Sequence, residues 1–193
     1  MASPLALIVG LGNPGREYEQ TRHNAGFWFV EALARQANAN FRADGKFFGD
    51  VAKGRIGSHE VWFLKPDTFM NRSGQAISAL ARFYKIGLDQ ILVAHDELDI
   101  LPGDIRLKVG GGHGGHNGLR DTITQMGGNN FLRLRIGIGH PGHSSQVTGF
   151  VLGKAPASEQ SLIDEAIERA LKVMPLAVNG ELQKAMNELH SGK

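Results

Sequence analysis

Short apolar runs alternate along the chain with stretches in which apolar residues recur at helical spacing. Runs of this kind, bounded by glycine, proline or polar residues, are typical of strands. They predict strands over residues 5–9, 49–56, 60–64, 91–94, 104–109 and 131–138. The helical spacing predicts helices from residue 24 or 25 to 36, from 73 to 87 and from 117 to 126. We expect Asn24 and Ser73 to cap the first two, and Gly87 to end the second.

The last part of the chain is helical by the same criterion. Pro156 suits a first helical turn, an apolar stripe follows it, and Pro175 is expected to bend or end that helix. A final short helix covers residues 181–190, whereas residues 147–152 fit either a short strand or a lid segment. Strands that alternate with helices indicate an α/β sandwich with a mixed sheet.

Length and composition narrow the class of protein. A chain of 193 residues with 41% hydrophobic content favours one globular domain over residues 1–193. The absence of cysteine excludes disulfides, thiolate nucleophiles and thiolate metal sites. The sequence shows neither a leader pattern nor an apolar run of membrane-spanning length, so we expect a soluble, cytoplasmic protein. The net charge of +2 permits an anionic partner without requiring one.

Residues 12–26 join the first strand to the first helix and are unusually polar. In open α/β sheets such a connection lies at the carboxyl end of a strand, where ligands bind. The stretch is too long for a tight turn, and it offers a histidine, two asparagines, a tyrosine and several glycines. We interpret it as one half of an active site, with the other half elsewhere in the chain.

Two further loops contain candidate chemistry. His95, Asp96, Glu97 and Asp99 follow a buried strand, and they could bind a metal, orient a base or cap a loop. Residues 69–71 place two apolar side chains, Phe and Met, beside an asparagine within a polar loop. These apolar residues could fill the core or line a pocket, and the sequence alone favours the core.

The glycine-rich residues 110–118 lead into a predicted helix whose N-terminus could attract an anion. No Gly-Lys-Ser/Thr ends the loop, which excludes a mononucleotide phosphate loop, and no ribose-binding acid supports a dinucleotide site. His113 and His116 are three residues apart, but zinc would need further ligands.

Cationic residues alternate with apolar ones over residues 131–138. Arg133 and Arg135 share one face of this predicted strand. They could form the solvated face of an edge strand. Alternatively, together with Lys108, they could form a phosphate-binding patch.

Two stretches resemble the two signatures of bacterial peptidyl-tRNA hydrolases. They are residues 12–26, GNPGREYEQTRHNAG, and residues 110–121, GGGHGGHNGLRD. Residues 69–71, 93–99, 131–141 and 150–154 also match that family, so the resemblance covers nearly the whole chain in order.

This resemblance implies a fold and a reaction. The fold is a monomeric α/β/α sandwich with a mixed, mostly parallel sheet. The reaction is hydrolysis of the ester that joins a peptide to the 3′-terminal ribose of tRNA, without a metal or other cofactor. The implied partner is peptidyl-tRNA, bound through its acceptor end and 3′ CCA, and no membrane is involved.

The resemblance also assigns roles to individual residues. It makes His23 the general base and Asp96 its support. It further implies that Asn13, Asn71 and Asn117 bind the substrate and that Tyr18 and Phe69 contact it. It also implies that Lys108 and Arg135 form a clamp for the tRNA acceptor end. No Gly-x-Ser-x-Gly motif is present, so direct attack by water is simpler than an acyl-enzyme. The sequence leaves open which asparagine stabilises the oxyanion.

Two alternatives belong to other functional classes. One is an RNA-binding protein of this fold without catalysis, as in some plant organellar splicing factors that resemble the family. The presence of His23, Asp96 and Asn13 together argues against it. The other is a metal-dependent hydrolase that uses His113, His116 and Asp96, which a metal assay would separate from the first interpretation.

Overall fold

A computed structural model describes residues 2–192 and contains one central sheet. Within that range the strands are β1 (Leu7–Gly10), β2 (Arg42–Asp44), β3 (Gly49–Ile56), β4 (His59–Pro66), β5 (Ile91–Glu97), β6 (Ile105–Val109) and β7 (Leu132–Gly137). They lie in the order β2-β3-β4-β1-β5-β7-β6. The inner strands β4, β1, β5 and β7 are parallel, whereas β3 and β6 run antiparallel to their neighbours. The predicted mixed sheet is therefore confirmed.

Helices cover both faces of this sheet. In the described range they are α1 (Ala25–Gln36), α2 (Ser73–Phe83), α3 (Asn117–Met126), α4 (Val147–Val151), α5 (Ala157–Val178) and α6 (Leu182–Ser191). Apolar side chains of α1, α5 and α6 pack on one face, and those of α2 and α3 pack on the other. The fold is therefore the expected α/β/α sandwich. None of the helices described between residues 2 and 192 has the length and hydropathy to cross a membrane.

The carboxyl ends of β1 and β5 lie side by side at one rim of the sheet. Gly10, the last residue of β1, is in register with Ala94 of β5. The chain after β1 and the residues that end β5 therefore meet at the same place. This is where the polar stretch 12–26 and residues 95–99 converge.

Two glycines allow α1 to lie directly on these strands. A Cβ atom on Gly26, in the first turn of α1, would lie 2.4 Å from the carbonyl oxygen of Ala94. A Cβ atom on Gly10 would lie 2.2 Å from the carbonyl oxygen of Gly26. Since real Cβ atoms do not approach so closely, only glycine fits at either position without displacement of the backbone.

The structure corrects several local predictions. Asn24 and Ser73 do not cap α1 and α2: the Asn24 amide binds the backbone of residue 13, and Ser73 is already helical and donates to the carbonyl of Met70. Helix α2 ends at Phe83, before Gly87, and Lys85 takes the left-handed conformation there with φ 57°.

Three predictions in the second half of the chain are also wrong or need refinement. Strand β7 lies between β5 and β6, so it is not an edge strand. Residues 147–151 form the helix α4, which rules out a strand there. Helix α5 continues through Pro175 to Val178, so the proline does not end it.

Candidate active site

The turn between β1 and α1 is tied together by the side chain of Asn24. Its Oδ1 accepts a hydrogen bond from the Asn13 backbone N–H (2.8 Å), and its Nδ2 donates to the Asn13 carbonyl (3.0 Å). The two ends of the polar stretch are thereby held next to each other. His23 lies in the short 3₁₀ turn Arg22–Asn24, immediately before α1.

The carboxylate of Asp96 is the centre of the site and accepts hydrogen bonds from two histidines. Nδ1 of His23 lies 2.7 Å from Oδ2, and Nε2 of His116 lies 2.8 Å from Oδ1. Only 2% of the Asp96 side chain is exposed. Because an ionised carboxylate only accepts, both histidine nitrogens that face it carry protons. The second ring nitrogen of His23, Nε2, is left free to accept a proton.

The proton on His116 is fixed independently by α3. Nδ1 of His116 accepts from the backbone N–H groups of Gly118 (3.1 Å) and Leu119 (3.3 Å). This nitrogen therefore has no proton, and the single proton of the neutral ring lies on Nε2, facing Asp96. His116 thus caps the helix and supports the carboxylate at the same time.

The charges of this cluster shift its ionisation. Burial on its own would raise the pKa of Asp96, but the two histidines and their hydrogen bonds hold that pKa well below its usual range. Burial lowers the pKa of His23, yet the charge and hydrogen bond of Asp96 outweigh it and raise the pKa above 6.5. Asp96 is therefore ionised at neutral pH, and it favours the imidazolium form of His23.

His95, which precedes Asp96, is unsuited to act as the base. Its ring is 1% exposed, and its Nδ1 donates to the backbone carbonyl of Asp96 at 2.9 Å. Burial, followed by the proximity of His116, lowers the pKa of His95 to about 4. A ring that stays neutral and enclosed leaves His23 as the histidine of this cluster that can accept a proton from solvent.

A cavity of about 350 Å³ opens beside His23. Among the predicted site residues, its lining contains His23, Asp96, Asn13, Asn71, Asn117 and Phe69. Tyr18 does not line the cavity, but its ring meets that of Phe69 edge to face, with 6.4 Å between the centroids. The core interpretation of residues 69–70 is right for Met70, which is 4% exposed, and wrong for Phe69, which is 61% exposed.

The amide of Asn13 has a defined orientation. Its Oδ1 accepts from the backbone N–H of Met70 at 2.7 Å. The Nδ2 group is therefore the part of this buried side chain that is available to the cavity, and it can only donate. The Nδ2 group of Asn13 is thus suited to an acceptor, such as a carbonyl oxygen or an oxyanion.

One wall of the cavity is formed by α4, which the turn around His23 holds in place. Val147 and Val151 of this helix face the cavity. The guanidinium of Arg22 donates to the carbonyl of Phe150 (2.8 Å) and lies 3.8 Å from the centre of its ring. The apolar wall and the histidine are therefore attached to the same segment.

A second cavity of about 290 Å³ adjoins the first and contains the cationic residues. Lys108, Arg133 and Arg135 all line it, and the two cavities share His95, Glu97, His113 and Gly114. Nε of Arg135 donates to Glu97 at 3.0 Å, which fixes the guanidinium. Arg133 is 3% exposed, so the solvated-face interpretation is wrong for this residue.

Comparison with known proteins identifies the family. A family model described as peptidyl-tRNA hydrolase matches residues 7–193. The chain belongs to the peptidyl-tRNA hydrolase family. Peptidyl-tRNA hydrolases of Colwellia psychrerythraea and Acinetobacter baumannii are each 58% identical to it, over 98% and 99% of this chain and 98% of theirs. The crystal structure of peptidyl-tRNA hydrolase from Acinetobacter baumannii is similar with a TM-score of 0.97 and 56% identity, over 100% of this chain and 98% of that one.

Whether this member of the peptidyl-tRNA hydrolase family binds a metal at the site depends on the chemistry of the residues there. Ligand atoms of His23, Asp96 and His116 lie within 4.8 Å of one another. A metal on Nε2 of His116 would require its proton to move to Nδ1, which already accepts from two backbone amides. The arrangement thus suits proton transfer better than coordination. Metal independence stays a prediction: exhaustive chelation should leave hydrolysis unchanged.

Two residues that hold this site together, His116 and Asn24, have different roles in the predictions from sequence. His116 was considered only as a metal ligand, yet it is the second partner of Asp96. Asn24 was considered only as a cap, yet it ties the turn together. The one available signal for His116 was its position directly before the first residue of a predicted helix, where a side chain can accept from helical N–H groups.

Proposed function

We propose that this chain hydrolyses the ester between a peptide and the 3′-terminal ribose of tRNA, with His23 as the base that activates water. The observation that carries the proposal is the hydrogen bond from His23 Nδ1 to the buried carboxylate of Asp96. It leaves Nε2 as the free nitrogen of a ring that lines the larger cavity. Residues 1–193 act as one domain and as a monomer, since both cavities are built within one chain.

The steps follow from the proton positions. Nε2 of His23 takes a proton from water, whose oxygen attacks the ester carbonyl, and Asp96 stabilises the imidazolium that forms. The Nδ2 group of Asn13 is a donor suited to a substrate carbonyl or to the oxyanion, and Asn71 and Asn117 supply further amides on the same cavity. When the ester bond breaks, the imidazolium returns its proton to the 3′ oxygen of the ribose.

The two adjoining cavities suit the two parts of the substrate. The larger one combines apolar walls with amides, which suits a peptide, and Tyr18 and Phe69 lie at its rim. The smaller one contains Lys108 and Arg135, which suits the phosphates of the acceptor end beside the 3′ CCA.

Incubation with N-acylated aminoacyl-tRNA tests the function directly. We expect release of free tRNA and of the N-acyl amino acid at a rate far above that of the uncatalysed reaction. Binding of the tRNA without release would instead support the non-catalytic RNA-binding alternative.

The pH dependence of kcat/KM should reflect the protonation of His23. Because its pKa is raised and the base must be unprotonated, we expect kcat/KM to fall as the pH decreases through a value above 6.5. In Asp96→Asn the supporting charge is lost, so the acidic limb should move to lower pH. A pH profile of both proteins checks this, and an unshifted limb would assign it to another group.

Asn13→Asp should narrow the preference for N-acylated over free aminoacyl-tRNA. The aspartate can still accept from Met70 N–H, but it replaces the donor that faces the cavity with a negative oxygen. A free α-ammonium, which only donates, would gain a partner, whereas a peptide carbonyl would lose one. The ratio of kcat/KM for the two substrates measures the effect, and an unchanged ratio contradicts the assignment.

Lys108→Ala and Arg135→Gln should weaken tRNA binding and flatten its salt dependence. Each lost phosphate contact should reduce the slope of log K against log salt by about one unit. Hydrolysis of a minimal N-acylaminoacyl ester should change little, and Lys53→Ala, on β3 in the half of the sheet opposite to β6 and β7, serves as the control. The clamp is refuted if the minimal ester loses as much activity as the full tRNA substrate.

A further inference from the structure

Arg133 has a buried guanidinium whose two Nη groups donate to backbone carbonyls. It lies on β7 and is 3% exposed. Nη1 donates to the carbonyl of Gly112, and Nη2 donates to those of Gly111 and, at 3.1 Å, Asn129. Such a group is costly to bury without partners, so these bonds fix the carbonyls around it.

The loop that it contacts has little to hold it otherwise. Gly110, Gly111, Gly114 and Gly115 all have positive φ, from 57° to 104°. Backbone of this kind has high conformational entropy when free. No heavy atom comes within 4 Å of an ideal Cβ at residues 112, 114 and 115, so this part of the loop is open. Together with the bond from the Gly110 N–H to the Phe131 carbonyl (3.0 Å), the bonds from Arg133 therefore attach the first half of the loop to the sheet.

The same loop delivers two side chains to the larger cavity. It ends at His116, which donates to Asp96 at 2.8 Å, and Asn117 follows as the first residue of α3. A loop that moved by 1 Å would lengthen that hydrogen bond beyond its usual range. Thus the loop position sets the contact between His116 and the carboxylate.

From these contacts we propose that Arg133 is a positioning residue, which holds the glycine loop so that His116 stays bonded to Asp96. The inference rests on the proposed function, because it concerns the geometry of the same site. Arg133 also lines the smaller cavity, but only 3% of it is exposed and its two Nη groups already donate to three loop carbonyls, so we assign it to the loop and not to a phosphate. It differs in this respect from Lys108, its cross-strand neighbour on β6, which is exposed.

The proposal predicts a specific change at His23. If His116 withdraws, Asp96 loses one of its two donors and becomes a stronger partner for the remaining histidine. The imidazolium of His23 is then favoured further, and the acidic limb of the pH profile moves up. The titratable groups that line the smaller cavity with Arg133 are His95, Glu97, Asp99, Lys108, His113 and Arg135, whereas the pKa of His23 is set by its burial and by Asp96.

Arg133→Lys tests this, because it keeps the charge and removes the planar fork that reaches several carbonyls. We expect kcat to fall by up to about 10²-fold, on tRNA and minimal ester alike. The acidic limb of the pH profile should move to higher pH, as it should in His116→Ala. The double variant Arg133→Lys/His116→Ala should be no slower than His116→Ala alone. Arg106→Lys, on the neighbouring strand and paired with Asp104, is the matched control and should leave all three readouts unchanged.

Other outcomes would overturn the proposal. A loss confined to KM for tRNA would make Arg133 a phosphate contact. A lower kcat with an unmoved limb and a reduced Tm would make it a general stabilising residue.

Hydrogen exchange separates this inference from the proposed function. The amides of Gly118 and Leu119 bond to Nδ1 of His116, so their protection should fall in Arg133→Lys and persist in Arg106→Lys. That measurement needs no activity. If the protein failed to release tRNA but the amides lost protection, the function would be wrong and the loop attachment right. Unchanged protection would contradict the attachment.

Discussion

His23→Ala is expected to lower kcat for peptidyl-tRNA by roughly 10²–10⁴, the usual contribution of a general base. The ring lines the larger cavity and not the cationic one, so affinity for tRNA should change far less than kcat. Single-turnover rates and direct binding to uncleaved tRNA, measured on the same preparations, separate the two effects.

His140→Ala provides the control, since that histidine is exposed and lies outside both cavities. It should match the parent protein in both measurements. A His23→Ala protein that binds tRNA poorly but turns over normally at saturation would mean that the residue binds substrate and does not activate water.

Asp96→Ala is expected to have the second largest effect, smaller than that of His23→Ala because the imidazole remains. The variant removes the acceptor of two hydrogen bonds, 2.7 and 2.8 Å long, and so frees both rings. Residues that act as a unit give strongly non-additive losses. The double variant His23→Ala/Asp96→Ala should therefore be little slower than His23→Ala alone.

The buried position of Asp96 requires a stability measurement beside the kinetics. Removal of this carboxylate leaves two ring N–H groups without their partner, so the free energy of unfolding should also decrease. Asp96→Asn keeps the shape of the side chain, so it tests whether the kinetic loss persists when the packing around residue 96 is preserved. Fully multiplicative losses in the double variant would show that Asp96 has a separate task, such as gripping the substrate.

Regular local patterns predicted those parts of the fold that local physics determines. Helix α3 has the predicted bounds, because its apolar spacing is clear and a glycine follows Met126. Strand β3 likewise covers the predicted residues. The position of β7 could not be predicted, since an alternating strand reads alike at the edge and in the centre, and long-range pairing decides between them. Helix α4 has five residues, too few to show a period.

For the site, the sequence suggested which residues to examine but not how they are connected. The sequence places His23 in the polar stretch after the first strand and Asp96 in the acidic segment after a buried strand, the family resemblance implies their roles, and the register of β1 and β5 brings them together. The second partner, His116, reaches Asp96 across a glycine loop with no sequence pattern of its own. The exposure of Phe69 depends on how the loop after β4 is anchored, and its anchors are distant in sequence: the Asp67 N–H donates to the Phe48 carbonyl, and the Met70 N–H donates to the side chain of Asn13.

The close contact at Gly26 has a consequence for how this enzyme could be engineered. The segment that carries His23 is spaced from β5 by main-chain atoms, with Gly26 against the carbonyl of Ala94 and Gly10 against Gly26 itself. Main-chain dimensions do not vary with the identity of core side chains. The distance between the His23 ring and the Asp96 carboxylate is thus set by main-chain contacts and not by the apolar side chains that fill the core. Many core residues could therefore be replaced to raise thermal stability without a change in this distance, provided that Gly10 and Gly26 are kept.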